Sequence, residues 1–170
     1  ASDVYKRQVY EAVLDRFYPD EAALNALVIG GGVSGMTAAL SLAEQNYPVT
    51  LIEQSDALGG NGRKVYRNWK GEQFLPFVDD LTARIMRHPR ISVKVNTEIA
   101  DVAGSVGKFT TTFSDGHSCE HGVAVMAVGG QAYQPEGQWR FLHGVDPRVQ
   151  TLLELDKRFI EEDAALKDVR

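Results

Sequence analysis

A glycine-rich turn between two short apolar runs constrains the fold of this chain more than any other feature. The turn, Gly30–Gly35, has the spacing G-x-G-x-x-G and directly follows the apolar run Ala26–Ile29. A second apolar run, Val49–Ile52, comes after a helix-length segment and is closed by Glu53. Strand, glycine turn, helix, strand and acid in this order are typical of a βαβ unit that binds a dinucleotide. The alternative is a glycine-rich turn in an unrelated α/β fold.

Each position of the turn has a physical role in such a unit. Gly30 permits the tight turn off the strand, Gly32 lets the backbone approach a pyrophosphate, and Gly35 lets the next helix pack closely on the sheet. This helix is predicted to run from about Val33 to Gln45. Because its first-turn N–H groups and the positive end of its dipole face the phosphates, Val33 and Ser34 are predicted to contact the cofactor through their backbone.

The acid and a second glycine pair indicate which dinucleotide is bound. Glu53 lies 23 positions after Gly30, near the roughly 20 expected for a carboxylate that binds ribose hydroxyls. A carboxylate repels a 2′-phosphate, so NADP is disfavoured. The doublet Gly59-Gly60 resembles the second glycine pair of two-dinucleotide-binding-domain flavoproteins, in which it lies against the FAD pyrophosphate. This pair favours FAD over NAD, and an ordinary glycine turn is the alternative.

Composition is that of a single globular domain. The chain has 170 residues, of which 44% are apolar and 24% charged, which is ordinary for such proteins. A net charge of −5, without clustered Lys or Arg, gives no surface that attracts nucleic acid. The apolar runs are strand-sized, well below the roughly 20 residues of a membrane span. The single cysteine, Cys119, excludes an internal disulfide, and a cytoplasmic protein is the simplest interpretation.

Four segments are expected along the chain. Asp3–Gln8 is the translation of a transposon-end adapter used in sequencing libraries, so residues 1–8 are expected to be a sequencing scar. Residues 9–25 are predicted to form an amphipathic helix and a linker, residues 26–145 the dinucleotide-binding domain, and residues 146–170 a C-terminal helix.

Within the domain, periodicity and turn residues predict a helix and four more strand segments. The expected helix spans about Phe74–Arg87 and is followed by a third parallel strand at Ile91–Val95. Three short strands should then form a small antiparallel meander: about Thr97–Ala103, Lys108–Phe113 and Cys119–Ala127.

Most of the chain from about Ala26 to Leu155 resembles one family. The stretches Val106–Phe109, Glu120–Gly122 and Asp146–Val149, added to the glycine unit, resemble the A subunit of heterodisulfide reductase and related flavin subunits. The resemblance implies an α/β, Rossmann-like FAD-binding domain in a redox complex. It also implies electron relay between flavin and 4Fe-4S clusters, with iron–sulfur or disulfide-reductase subunits as partners.

One cysteine cannot hold an iron–sulfur cluster. The clusters, and the later part of the FAD fold that contacts the flavin ring, are therefore expected in missing parts of the parent protein, and the domain is expected to be incomplete at its C-terminal end. A different flavoenzyme, amine-oxidase-like or desaturase-like, and a non-catalytic nucleotide-binding module remain as alternatives.

The predicted cofactor contacts extend over the whole domain. By resemblance, Ile99 would clamp adenine through its backbone and Gly129 would approach the cofactor from a strand end, while Gln54 would lie next to adenine. Arg63 could add positive charge near the pyrophosphate, and an arginine that is simply exposed to solvent in a loop is an equal alternative. The full set is Gly30, Gly32, Val33, Ser34, Gly35, Glu53, Gln54, Gly59, Gly60, Asn61, Arg63, Ile99 and Gly129. No catalytic residue and no metal site is predicted.

Other polar and aromatic residues have competing interpretations. His117, Cys119 and His121 would share one face of a strand and suit zinc, but polar residues on an exposed strand are favoured. His88 and His143 are expected at the surface or in helix caps. Three aromatic residues after the last strand either cover the cofactor or pack a linker, and packing is favoured: Tyr133, Trp139 and Phe141.

Overall fold

A computed structural model of the chain describes residues 23–135 and 142–161. The predicted adapter scar, residues 9–22 of the predicted N-terminal helix and linker, and the aromatic residues Trp139 and Phe141 lie outside these ranges. No helix within them is long and apolar enough to cross a membrane.

A four-stranded parallel sheet forms the centre of the domain. Its spatial order is β3-β2-β1-β7, and each pairing is parallel. Ile29 at the end of β1 lies opposite Ile52 of β2 and Met126 of β7, so three carboxyl ends are aligned at one edge. The strands are β1 (Ala26–Ile29), β2 (Val49–Ile52), β3 (Ile91–Lys94) and β7 (Val123–Met126).

Two helices, α1 (Val33–Glu44) and α2 (Leu75–Arg87), pack in one core with the sheet. Their apolar residues recur at helical spacing, and both predicted helices are confirmed within one residue at each end. Burial of each large apolar side chain stabilises the fold by about 1.5–3 kcal/mol. The buried apolar side chains of the two helices are Met36, Ala39, Leu40, Ala43, Val78, Leu81 and Ile85.

A three-stranded antiparallel meander forms a second sheet, with the order β4-β5-β6. Its buried Phe113 packs with Leu27 and Ile52 of the parallel sheet, with Cys119 at the margin of the same cluster. The predicted meander is confirmed. Its strands are β4 (Ile99–Ser105), β5 (Lys108–Phe113) and β6 (Ser118–His121).

The prediction of one continuous strand from Cys119 to Ala127 is wrong. The segment divides at Gly122 into β6, which ends the meander, and β7, which returns to the parallel sheet beside β1. The Gly122 N–H donates to the Asn25 carbonyl at 2.9 Å. A Cβ at Gly122 would lie 2.2 Å from the Ala23 carbonyl oxygen, so only glycine allows the chain to pass this close.

The C-terminal helix begins later in the structure than predicted, and residues 162–170 of that prediction lie outside the described residues. Helix α3 spans Leu152–Ile160 and begins with a capping box, in which Thr151 and Glu154 each accept the backbone N–H of the other. Residues 146–150 precede this cap and are not helical. The capping box fixes the helix start at Thr151.

The predictions for His143 and His88, which were expected at the surface or in helix caps, have different outcomes. His143 is buried rather than at the surface, and its Nε2 lies 3.1 Å from the capping carboxylate Glu154. The surface assignment of His143 is therefore wrong. His88 does cap a helix, since it follows α2 and its N–H donates to the Ile85 carbonyl.

Candidate functional site

The first glycine turn joins β1 to α1 at the aligned carboxyl edge of the sheet. Gly30 has φ +108°, and a Cβ there would lie 2.3 Å from the Ala127 carbonyl oxygen. A Cβ at Gly35 would lie only 1.9 Å from the Gly30 carbonyl oxygen. These two glycines are required for the turn itself and for the close packing of α1, as the sequence predicts.

Gly32 differs from its neighbours because it faces open space. A Cβ at this position would meet nothing within 4 Å, and its φ of −71° suits any residue. Gly32 is also the N-cap of α1, and no side chain caps the helix or places an acid in its first turn. The first N–H groups of a helix lack intrahelical partners and favour anions, so this space suits a phosphate.

The second glycine pair lies against the first turn. The Gly59 N–H donates to the Gly31 carbonyl at 2.8 Å, and Gly32 and Gly59 form an isolated parallel bridge. A Cβ at Gly60 would lie 3.3 Å from the Gly32 Cα. The structure thus places beside each other two glycine elements that are more than twenty residues apart in sequence.

The carboxylate of Glu53 is held at the first turn by three hydrogen bonds. Its Oε2 accepts the Gly31 N–H at 2.6 Å, and its Oε1 accepts the backbone N–H and the hydroxyl of Ser55 at 2.8 and 2.7 Å. Since a carboxylate offers about four acceptor positions, acceptor capacity remains for a further donor. Glu53 is buried.

Two opposing effects act on the pKa of Glu53. Burial raises the pKa of this carboxyl, but hydrogen bonds from Ser55 and Gly31 outweigh burial and lower the pKa below the usual 4.5. The side chain is therefore an anion at neutral pH. A buried anion beside the glycine turn suits ribose hydroxyls, which are hydrogen-bond donors.

The segment before β4 is attached to the end of β2. The Thr97 N–H donates to the Glu53 carbonyl, and the Asn96 N–H donates to the Ser55 carbonyl, both at 2.9 Å. These bonds place the start of β4, where Ile99 lies, on the Glu53 side of the site. Gln54 is exposed on the same connection.

The remaining predicted contacts lie beyond the glycine pair. Asn61 Nδ2 donates to the Gly130 carbonyl at 2.7 Å and so connects the 3₁₀ helix Gly60–Lys64 to the loop after β7, which contains Gly129. Arg63 Nε donates to the Leu58 carbonyl at 2.6 Å, and Arg63 Nη1 lies 3.3 Å from Asp79 of α2. These contacts favour a structural role for Arg63 in holding the glycine loop against α2.

Sequence reasoning missed Ser55, which donates twice to Glu53. The sequence near Glu53 does contain a signal for this contact, because a hydroxyl residue two positions after an acid at a strand end commonly donates a hydrogen bond to that acid.

The three residues considered for zinc occupy different environments. The His121 ring is buried, lies 2.8 Å from the Thr111 hydroxyl and stacks on Phe109. His117 is exposed and lies beside Asp115, and Cys119 Sγ lies 3.5 Å from the Thr50 hydroxyl. Among the described residues, no three His, Cys, Asp or Glu side chains are grouped as metal ligands would be.

Fold and site together define a dinucleotide-binding Rossmann-like domain. The family model that describes an NAD(P)-binding Rossmann-like domain matches residues 28–97, which include Gly32, Glu53 and both residues of the glycine pair. An oxidoreductase from Agrobacterium tumefaciens has the same fold, with a TM-score of 0.54 at 22% identity over 68% of this chain and 40% of that one.

The resemblance to the heterodisulfide reductase A subunit is confirmed over about half of the chain. The chain is 36% identical over 90 residues to the A subunit of the ferredoxin:CoB-CoM heterodisulfide reductase of Methanosarcina mazei, covering 52% of this chain and 11% of that protein. It is 32% identical over 110 residues to a heterodisulfide reductase A-like protein of Archaeoglobus profundus, covering 64% of this chain and 15% of that protein. The chain thus spans only a small part of the length of these relatives.

Proposed function

We propose that this chain is the FAD-binding part of an oxidoreductase subunit that relays electrons between flavin and iron–sulfur centres. The complex would be of the heterodisulfide reductase type, with iron–sulfur or disulfide-reductase subunits as partners. The 4Fe-4S clusters would belong to other parts of the parent protein. A cytoplasmic location is part of the same proposal.

A single arrangement supports the proposal: the contact between the two glycine elements around the open space at Gly32. The Gly59–Gly31 hydrogen bond and the 3.3 Å approach at Gly60 make one side of this space from backbone alone. The start of α1, which no side chain caps, forms the other side of this space. A pyrophosphate is an anion of the size and charge that such a backbone-lined space accepts.

The described residues would bind and orient FAD rather than react with it. Backbone N–H groups at the start of α1 would bind the pyrophosphate, and Glu53 would accept hydrogen bonds from the ribose. The anion at Glu53 would also exclude a nucleotide with a 2′-phosphate. FAD, when bound, supplies the capacity to accept and donate electrons.

The proposal is tested by titrating the purified chain with FAD, NAD and NADP. We expect saturable binding of FAD, seen as a change in flavin fluorescence, with weaker binding of NAD and none of NADP. Preference for NAD over FAD would refute the assignment of the cofactor. Lack of binding by all three would contradict a dinucleotide site of any kind.

A further inference from the structure

A short hairpin, residues 66–73, connects the 3₁₀ helix to α2 and exposes a tryptophan at its tip. This residue, Trp69, is 90% exposed. Single exposed apolar side chains are common on protein surfaces, so exposure alone does not define a binding surface. Two further properties of this hairpin do: its conformation is fixed by hydrogen bonds, and it carries positive charge.

The turn at the tip is fixed by Asn68. The Gly71 N–H donates to the Asn68 carbonyl at 2.9 Å, which closes a four-residue turn. Trp69 and Lys70 are the two central residues of this turn. The Asn68 side-chain oxygen also accepts the backbone N–H groups of Lys70 and Glu72, at 2.9 and 3.0 Å. Because the turn is already ordered, a partner that binds it has less conformational entropy to remove.

The base of the hairpin is attached to the rest of the fold. Arg67 and Gln73 form an antiparallel bridge, and the Phe74 N–H donates to the Tyr66 carbonyl at 3.3 Å. The Tyr66 ring stacks on Phe159 of α3, with 5.3 Å between ring centroids. Packing within the fold thus explains the aromatic residue at the base of the hairpin, but not the exposed one at its tip.

The hairpin is basic, although the chain is acidic. Residues 61–73 contain four Lys or Arg and one acid, whereas the whole chain has a net charge of −5. The acid, Glu72, is already bonded to the Asn68 amide at 2.8 Å. Among the described residues, no carboxylate forms an ion pair with Arg67 or Lys70. The charges of these two side chains are therefore not neutralised within the described fold.

Both of these cations lie over aromatic rings. The Lys70 ammonium is 5.2 Å from the centroid of the Trp69 ring, and the Arg67 guanidinium is 5.0 Å from that of the Tyr66 ring. Distances of this size are those of cation–π contacts. The hairpin thus presents an apolar ring and positive charge within one small contact area.

This combination suits an acidic segment of a protein. Tryptophan and arginine are enriched among the residues that contribute most to protein–protein affinity, and complementary charge directs association. An extended polyanion, such as an anionic membrane or a nucleic acid, would also face the acids of this net-negative chain. A discrete acidic segment need contact only the hairpin.

We propose that residues 66–73 bind an acidic segment of a partner protein. The Trp69 ring packs against an apolar side chain of that segment, and Arg67 and Lys70 face its carboxylates. The proposal needs no bound cofactor, so it stands or falls separately from the proposed function.

The test uses a short synthetic peptide of repeated Asp-Glu-Leu units, labelled with a fluorophore. Its dissociation constant is measured by fluorescence anisotropy for wild type, Trp69→Ala and Lys70→Ser. Two variants at exposed positions outside the hairpin are the matched controls, Tyr47→Ala after α1 and Lys157→Ser on α3. The same peptide with Lys in place of its acids tests the role of charge.

A second measurement locates the contact. The chain has two tryptophans, Trp69 and Trp139, so in Trp139→Phe the tryptophan fluorescence comes from Trp69 alone. We expect its emission to shift to shorter wavelength when the acidic peptide binds, because the ring leaves water.

We expect Trp69→Ala to weaken binding of the acidic peptide about tenfold or more, as loss of a central interface tryptophan does. Lys70→Ser should weaken it about threefold, and added salt should reduce this difference because it screens exposed charges. The two controls should bind as wild type does. Trp69→Ala should keep the wild-type Tm and FAD affinity, since the side chain is exposed and lies outside the predicted cofactor contacts.

Lack of binding of the acidic peptide to wild type, or an unchanged affinity in Trp69→Ala, would overturn the inference. Equal binding of the Lys-containing peptide would overturn the role of charge. The same titrations are made with phosphatidylcholine–phosphatidylserine vesicles and with single-stranded oligothymidylate. Binding of either one that is lost in Trp69→Ala, without binding of the acidic peptide, would assign the hairpin to a membrane or to nucleic acid and refute a protein partner.

Discussion

At the scale of single residues, the three glycines of the G-x-G-x-x-G turn, Gly30, Gly32 and Gly35, differ in what surrounds them. A Cβ at Gly30 or Gly35 would overlap backbone atoms, whereas a Cβ at Gly32 would enter open space. The first two positions are therefore constrained by folding. Packing within the described fold places no such requirement on Gly32.

Replacing Gly35 by Ala should destabilise the fold. The new methyl would lie 1.9 Å from the Gly30 carbonyl oxygen, and moving α1 away would disturb its packing on the sheet. We expect a loss of about 1–3 kcal/mol or more in the free energy of unfolding, measured by urea denaturation. An unchanged midpoint would show that α1 does not pack as closely as described.

Glu53→Gln should weaken both folding and cofactor binding. The amide keeps one oxygen, so either the Gly31 N–H or the Ser55 donors lose their acceptor. We expect a loss of about 1–3 kcal/mol both in the free energy of unfolding and in the free energy of FAD binding. The first is measured by denaturation and the second by FAD titration. Glu120→Gln, at an exposed acid of β6, is the matched control. Unchanged FAD affinity in Glu53→Gln would contradict the ribose assignment.

At the scale of elements, His121 connects the meander to the parallel sheet at the Gly122 passage. Its Nδ1 lies 3.2 Å from the Val123 carbonyl and its Nε2 lies 2.8 Å from the Thr111 hydroxyl. The carbonyl requires a donor, so Nδ1 carries the proton and Nε2 accepts from the hydroxyl. Burial lowers the pKa of His121 below 6.5, although the bond to Val123 acts in the opposite direction.

The stability contributed by His121 should depend on pH. Because its folded pKa is lowered, the neutral form stabilises the fold above pH ~6.5, and this stability is lost as the pH falls toward the folded pKa. We expect His121→Gln to lose less in Tm between pH 8 and pH 5.5 than wild type. Parallel Tm profiles for the two proteins would contradict a buried neutral imidazole.

Sequence patterns predicted those elements whose signal is local. Helices α1 and α2 and the order of β1, glycine turn and β2 follow from periodicity and from glycine spacing. The division at Gly122 has only a weak local signal, a glycine inside a strand pattern, and it depends on contact with Ala23, almost 100 residues earlier. Burial of His143 likewise depends on a tertiary contact with Glu154. The contact of Ser55 with Glu53 differs from these two features, because the position of Ser55 two residues after the acid could have predicted the contact from the sequence.

At the scale of the whole molecule, the parallel sheet brings distant residues to one edge. Gly32 follows β1, Glu53 follows β2, and Gly129 follows β7, the neighbour of β1 on its other side. In open parallel sheets, ligands bind beyond the carboxyl ends of the strands. The carboxyl edge of the sheet thus brings together three residues that the sequence predicts to bind the cofactor.

The most direct test of the pyrophosphate site is the affinity of Gly32→Val for FAD, measured together with the stability of this variant. Since nothing lies within 4 Å of a Cβ at Gly32, we expect the free energy of unfolding without ligand to fall by only about 1 kcal/mol, the typical cost of a poor N-cap residue. The side chain would occupy the phosphate space, so FAD affinity should fall about a hundredfold or more, equivalent to ~2.7 kcal/mol. Wild-type FAD affinity in a folded Gly32→Val protein would contradict the pyrophosphate site.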